Sequence, residues 1–143
     1  IGCLVLYSNF PEESRDALLI ANGDEDILAQ QEEELIGYDH ATVGGELLKL
    51  WRLPETIAEA VTSHHDLSRA EPDSIEATIV FIANALANRT EEGSFSEFGS
   101  YATNIEPEIW ARIGLSEDVV EELWDSVYEQ FAETAQILLP ASC

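Results

Sequence analysis

Three histidines are the residues of this chain best suited to chemistry. His40 follows Asp39 at the start of a predicted helix, and His64 and His65 form a pair near the end of the next predicted helix. If those helices are antiparallel neighbours, the three rings converge on a divalent metal, with Asp39 or Asp66 as an oxygen ligand. The alternative is that the rings are buried and hydrogen-bonded to backbone or acidic groups. The pattern alone favours this second interpretation.

The remaining reactive side chains give weaker signals. Cys3 and Cys143 lie near opposite ends of the chain, and their spacing fits neither a zinc motif nor a disulfide framework. We therefore expect reduced thiols and a cytoplasmic protein. Neither cysteine has a histidine near it in sequence, so nucleophilic catalysis has little support. The acidic run from Gln31 to Glu34 is predicted to be a solvated helix face.

Helix start and stop signals divide most of the chain. Asp24 and Asp39 are predicted N-caps, and Gly37 is a predicted helix stop. The adjacent Gly44 and Gly45 lie inside a helix, which predicts close approach of another helix. The predicted core-facing stripe of the helix after Asp39 contains Val43, Leu47, Leu50 and Trp51.

The next predicted helix starts at Pro54 and continues through the paired histidines, so at least one of the two rings should point inward. A further apolar helix follows Ser74, and residues 90–104 are predicted to form a surface loop. Ser116 is expected to cap the last helix, which repeats an apolar residue every fourth position from Leu115 to Phe131. No strand is predicted, and the fold class is all-α.

Size and charge exclude several functions. The chain has 143 residues, enough for one domain, and its 6 basic against 29 acidic residues give a net charge of −23. So few cations cannot form the basic surface that nucleic acid or an anionic membrane requires. No run of 18 apolar residues suggests a membrane span. The sequence contains no methionine, and we expect it to be part of a longer protein.

The stretch from Gly37 to His65 resembles the HDOD domain, a relative of the HD metal-dependent phosphohydrolases. The shared elements, in order, are Asp39-His40, Val43-Gly44, Leu47-Leu48, Trp51, Leu53-Pro54 and His64-His65. The opening IGCLVLY resembles the segment that follows the His-Asp dipeptide in such proteins. The resemblance implies a single helical HDOD-type domain over residues 1–143, built as an HD-like helical bundle and N-terminally incomplete.

The resemblance also implies a function. HDOD domains are generally regarded as non-enzymatic regulatory or output modules of bacterial signalling proteins, often linked to a sensory or receiver domain. This chain lacks the His-Asp dipeptide, and Asn84 stands where the related helix usually offers Asp. The expectation is therefore no catalytic residue, no cofactor and no bound metal, with His40, His64 and His65 as vestigial ligands. Protein partners are expected, and nucleic acid and membrane are not.

Two alternatives remain at this stage. The first is a metal-dependent phosphohydrolase of the HD class, acting on phosphodiesters or nucleotides. In that case a divalent metal is bound by His40, His64 and His65 together with upstream residues. The second is an acidic scaffold that binds a basic protein, with association that weakens steeply as salt rises.

Overall fold

The computed structural model describes residues 1–88 and 105–138, and these residues are helical with no strand. The predicted all-α fold is confirmed. The chain divides into two compact units, residues 1–106 and residues 107–143. The predicted surface loop at residues 90–104, and Cys143, lie outside the described residues.

The first unit carries six α-helices and a single 3₁₀ turn within its described residues. The helices are α1 (Gly2–Asn9), α2 (Pro11–Ala21), α3 (Glu25–Ile36), α4 (His40–Leu50), α5 (Glu55–Thr62) and α6 (Ile75–Ala87), and the 3₁₀ turn is Leu67–Arg69. The second unit carries α7 (Pro107–Arg112) and α8 (Asp118–Leu138). Within the described ranges, no helix combines the length and the apolar character needed to cross a bilayer.

Two aspartates fix the starts of the helices that matter for the site. The Asp24 carboxylate accepts hydrogen bonds from the backbone N–H groups of Asp26 and Ile27, and the Asp39 carboxylate accepts one from Thr42 at 2.6 Å. Free N–H groups at a helix start need such acceptors. Asp39 therefore fixes His40 as the first residue of α4, as the sequence predicts.

Glycines allow α4 to lie unusually close to its neighbours. A methyl group on Gly2 of α1 would overlap the carbonyl oxygen of His40, and one on Gly45 would overlap the Thr62 side chain of α5. A methyl group on Gly44 would lie 3.0 Å from a methyl carbon of Val61. The prediction of close helix approach at Gly44 and Gly45 is confirmed, and α4 has such a neighbour on two sides.

The predicted apolar stripe of α4 is wrong at its C-terminal end. Leu50 keeps 76 % and Trp51 55 % of its surface exposed, whereas Leu48 is buried. The helix ends at Leu50, and Arg52 follows with a positive φ of 61°. Since the chain leaves helical geometry there, the helical spacing no longer sets the direction of Trp51.

The core of the first unit also contains a small apolar cluster between α2 and α3. Ala17, Ala21 and Leu28 are buried there, with Leu18 packed against them. Small side chains on α2 let α3 lie close to it, and this packing sets the position of α3 in the unit. The inner face of α3 continues from Leu28 toward the histidines.

Candidate functional site

The structure brings the three predicted histidines together. His40 begins α4, whereas His64 and His65 lie in the turn that follows α5, because that helix ends at Thr62. The ring centroids are 5.3 Å apart for His40 and His64, 4.9 Å for His40 and His65, and 4.0 Å for the pair. One ring nitrogen from each histidine lies within 4.8 Å of the others. These three residues are called the histidine cluster below.

His40 uses both of its ring nitrogens. Its Nδ1 lies 2.6 Å from Oε2 of Glu32, and its backbone N–H donates to the same oxygen at 2.8 Å. Its Nε2 lies 2.9 Å from Nε2 of His65. The carboxylate oxygen is the acceptor, so Nδ1 of His40 is the donor, and in the singly protonated tautomer Nε2 then accepts. His65 is then the donor in the contact between the two rings.

Glu32 is the residue that the sequence analysis missed. The acidic run was predicted to be solvated, but Glu32 has 0 % exposure, whereas its neighbour Glu33 is exposed. Oε1 of Glu32 has no hydrogen-bond partner among the described residues. Leaving a buried polar atom unpaired costs about 1–3 kcal/mol, and more when it is charged. The available signal was helical spacing, since Glu32 is four residues after the buried Leu28 and shares its face.

Burial keeps the paired histidines neutral. It is the main cause that lowers the pKa of His64, and it lowers the pKa of His65 to about 3, with the neighbouring His64 and His40 adding to the effect on His65. His64 Nδ1 lies 2.6 Å from the carbonyl oxygen of Val61, so that nitrogen is the donor. The other ring nitrogen of the neutral His64 therefore carries a lone pair.

Two acidic side chains lie near His65 but do not form hydrogen bonds with it. Nε2 of His65 is 4.0 Å from Glu25 and Nδ1 is 3.8 Å from Asp26, both beyond hydrogen-bond distance. Glu25 instead accepts hydrogen bonds from the side-chain amides of Asn84 at 3.2 Å and Asn88 at 2.6 Å. A cavity of about 160 Å³ opens here, lined by residues that include Asp24, Glu25, Asp26, His64, His65, Asn84 and Asn88.

Neither aspartate proposed as an oxygen ligand joins the cluster. The Asp39 carboxylate accepts from Thr42 and, at 2.6 Å, from Arg69. Burial by itself raises the pKa of Asp39, but these hydrogen bonds outweigh it and the pKa is lowered. Asp66 caps the 3₁₀ turn through Ser68 and lies 3.9 Å from Arg69. Both carboxylates are thus committed to local structure.

The fold brings Cys3 near a histidine that is distant in sequence. Ligating atoms of Cys3, Glu32 and His40 lie within 4.8 Å of one another, on α1, α3 and α4. Burial raises the pKa of the Cys3 thiol, and the nearby Glu32 raises it further. The thiol is therefore protonated at neutral pH and is a poor nucleophile. No sequence spacing predicts this group, because its members come from three separate helices.

Comparison with known families identifies the region that contains the cluster. The model of the HDOD domain family matches residues 1–67. Residues 1–67 belong to the HDOD domain family. This segment contains α1 to α5 and all three histidines. Searches of curated proteins and of solved structures give no significant match.

The ligand types of the histidine cluster differ from those typical of a hydrolytic metal centre. Hydrolytic divalent metals are held largely by carboxylates and keep an open position for water. Among the described residues, the histidine cluster is a group of three imidazoles that contains no carboxylate ligand. Asn84, which lies outside residues 1–67, donates its side-chain amide to Glu25.

Proposed function

We propose that this chain is a non-enzymatic regulatory or output module of a bacterial signal-transduction protein located in the cytoplasm. It changes its contacts with a protein partner, or with a linked sensory or receiver domain, when that neighbour changes state. Membership of residues 1–67 in the HDOD family supports this role. The net charge of −23 favours a protein partner over nucleic acid.

The observation that carries the proposal is the hydrogen-bonded chain from Glu32 through His40 to His65. Both ring nitrogens of His40 have hydrogen-bond partners, Glu32 at 2.6 Å and His65 at 2.9 Å. The chain joins α3, α4 and the turn after α5. A buried network with defined donors and acceptors favours one arrangement of those helices, which is what a module that transmits contacts needs.

A metal-dependent phosphohydrolase of the HD class is the second candidate. The convergence of His40, His64 and His65 within 4.8 Å favours it, because neutral imidazoles are ligands for transition metals. Against it stand the lack of a carboxylate in the three-histidine group among the described residues and the hydrogen bond from Asn84 to Glu25.

Hydrolysis assays separate the two candidates. The purified chain is incubated with phosphodiester and nucleotide substrates in the presence of magnesium, manganese or cobalt ions, beside a His40→Ala variant prepared in the same way. The proposal predicts no turnover above the variant under any condition. Metal-dependent turnover that His40→Ala abolishes would overturn it and establish the phosphohydrolase. Turnover shared equally by both proteins identifies a contaminating enzyme and counts as no turnover by this chain.

A further inference from the structure

His40 also belongs to a second cluster of possible metal ligands. It consists of Cys3 on α1, Glu32 on α3 and His40 on α4, whose ligating atoms lie within 4.8 Å of one another. We propose that these three residues bind a single late transition-metal ion of the zinc type. This site uses Nδ1 of His40, whereas the contact with His65 uses Nε2.

The unpartnered oxygen of Glu32 points to a missing ligand. Glu32 is completely buried, yet Oε1 has no hydrogen-bond partner among the described residues. Oε2 already accepts the backbone N–H of His40 at 2.8 Å. A cation held by Oε1 would satisfy the orphaned atom while this backbone hydrogen bond stays intact. Unsatisfied buried groups in native structures commonly mark an ion or a water.

The backbone fixes Cys3 beside the other two ligands. Gly2, its neighbour in sequence, packs so closely against α4 that an added methyl group would overlap the His40 carbonyl oxygen. The backbone of Cys3 therefore stays beside α4 as long as the two helices remain packed together. Its thiol is partly accessible, so an ion can reach it from solvent.

The donor set selects the class of ion. One thiolate sulfur, one carboxylate oxygen and one imidazole nitrogen are the ligands that zinc and similar borderline ions take. Calcium and magnesium prefer oxygen ligands alone. The thiolate and the carboxylate together carry two negative charges, so a divalent ion makes the buried site neutral and avoids the cost of an unpaired buried charge.

Binding requires a defined movement of protons. The thiol of Cys3 loses its proton to solvent as the bond from sulfur to the ion forms. The proton on Nδ1 of His40 is also displaced, and the neutral ring takes one up on Nε2. His40 then donates to Nε2 of His65, which gives up its own Nε2 proton and takes one up on Nδ1. Overall one proton is released per ion, and the hydrogen bond between the two histidines reverses its direction.

Cobalt is the probe for this site, because a thiolate bound to cobalt(II) gives an intense charge-transfer absorption in the near ultraviolet. The background is Cys143→Ser, which leaves Cys3 as the only cysteine of the two in the chain. We expect one cobalt ion per chain, with this absorption band present. Cys3→Ser and Cys3→Ala should each remove the band. They should weaken zinc binding by at least the roughly 10- to 100-fold that loss of an outer-shell partner causes.

The matched controls are His64→Gln and His65→Gln, which alter the histidine cluster and leave Cys3 and Glu32 in place. Both should keep the band, and circular dichroism checks that every variant is folded. Absence of the band, or cobalt binding that survives Cys3→Ser but is lost in His65→Gln, would overturn the site. The cobalt band and the hydrolysis assay are separate readouts. A missing band removes only the ion site, and metal-dependent hydrolysis overturns only the proposed function.

Discussion

The carboxylates on the two sides of the histidine cluster differ in whether they form hydrogen bonds with a histidine. On the inner side, Glu32 is completely buried and accepts two hydrogen bonds from His40. On the outer side, Glu25 and Asp26 approach His65 no closer than 3.8 Å, and Glu25 is bound by Asn84 and Asn88. The inner carboxylate therefore orients a ring, whereas the outer ones contribute a polar cavity wall.

This difference shows that proximity of acid and imidazole does not by itself make a functional pair. Because Glu32 is buried, water cannot replace its hydrogen bonds. Loss of His40 would therefore leave its carboxylate without a replacement donor. The outer acids border a cavity, and Glu25 has side-chain amide partners, so their contribution to stability is smaller. Four predictions follow this contrast from the inner side to the outer.

Removing the inner carboxylate should have the largest effect. Glu32→Ala leaves two His40 N–H groups without their acceptor and opens a cavity. We expect the free energy of unfolding to fall by about 3–5 kcal/mol, the cost of breaking a buried pair. Urea denaturation measures it. The control is the exposed Glu33→Ala, which should change stability by less than about 0.5 kcal/mol. Equal losses in both variants would refute the contrast.

Forcing α1 away from α4 should cause the second-largest loss of stability. In Gly2→Ala the new methyl group meets the backbone carbonyl of His40, which cannot rotate away as a side chain can. Overpacking of this kind costs about 1–3 kcal/mol. Gly44→Ala is the comparison, since its methyl group would meet the Val61 side chain, and we expect a smaller loss. Thermal unfolding of the two variants should place them in that order; the reverse order would contradict the close contact between α1 and α4.

Lowering the pH should reduce the free energy of unfolding, because His65 on the outer side stays neutral in the folded protein. Burial lowers the folded-state pKa of His65 to about 3, whereas an unfolded histidine has a pKa near 6.5. Between these values the unfolded state binds the extra proton, so stability is full above about pH 6.5 and is lost as the pH falls. The slope reaches about 1.4 kcal/mol per pH unit for one histidine.

The measurement is urea denaturation between pH 5 and pH 7 with a chelator present. His65→Gln should reduce the slope of unfolding free energy against pH, whereas the exposed Glu33→Gln should leave it unchanged. An unaltered slope in His65→Gln would mean that His65 is already charged in the folded protein, and the contrast between the two sides would be lost.

The smallest effect is expected at the cavity rim. Asp24→Ala removes the acceptor of two N–H groups at the start of α3, and loss of such a cap costs about 1 kcal/mol. Asp24→Asn, which keeps an acceptor oxygen, should restore most of the stability in the same denaturation experiment. A loss as large as that of Glu32→Ala would show that the outer acids do more than cap a helix.

Much of the local structure could be predicted from sequence. The helix starts at Asp24 and Asp39 follow from side-chain acceptors at free N–H groups, and the close approach at Gly44 and Gly45 follows from missing side chains. Apart from the burial of Glu32 in the interior of α3, the predictions that failed involve the ends of elements. Trp51 and the paired histidines lie just beyond their helices, where helical spacing no longer applies.

The family signature, the helical class and the three histidines are contained in the sequence itself, because local hydrogen bonding and periodicity depend only on near neighbours. The roles of Glu32 and Cys3 depend on tertiary structure. They lie 29 residues apart in the numbering and on different helices, and only the packing of α1 and α3 against α4 places both next to His40. Burial then decides their chemistry, because it removes the water that would otherwise satisfy a carboxylate in an acidic run.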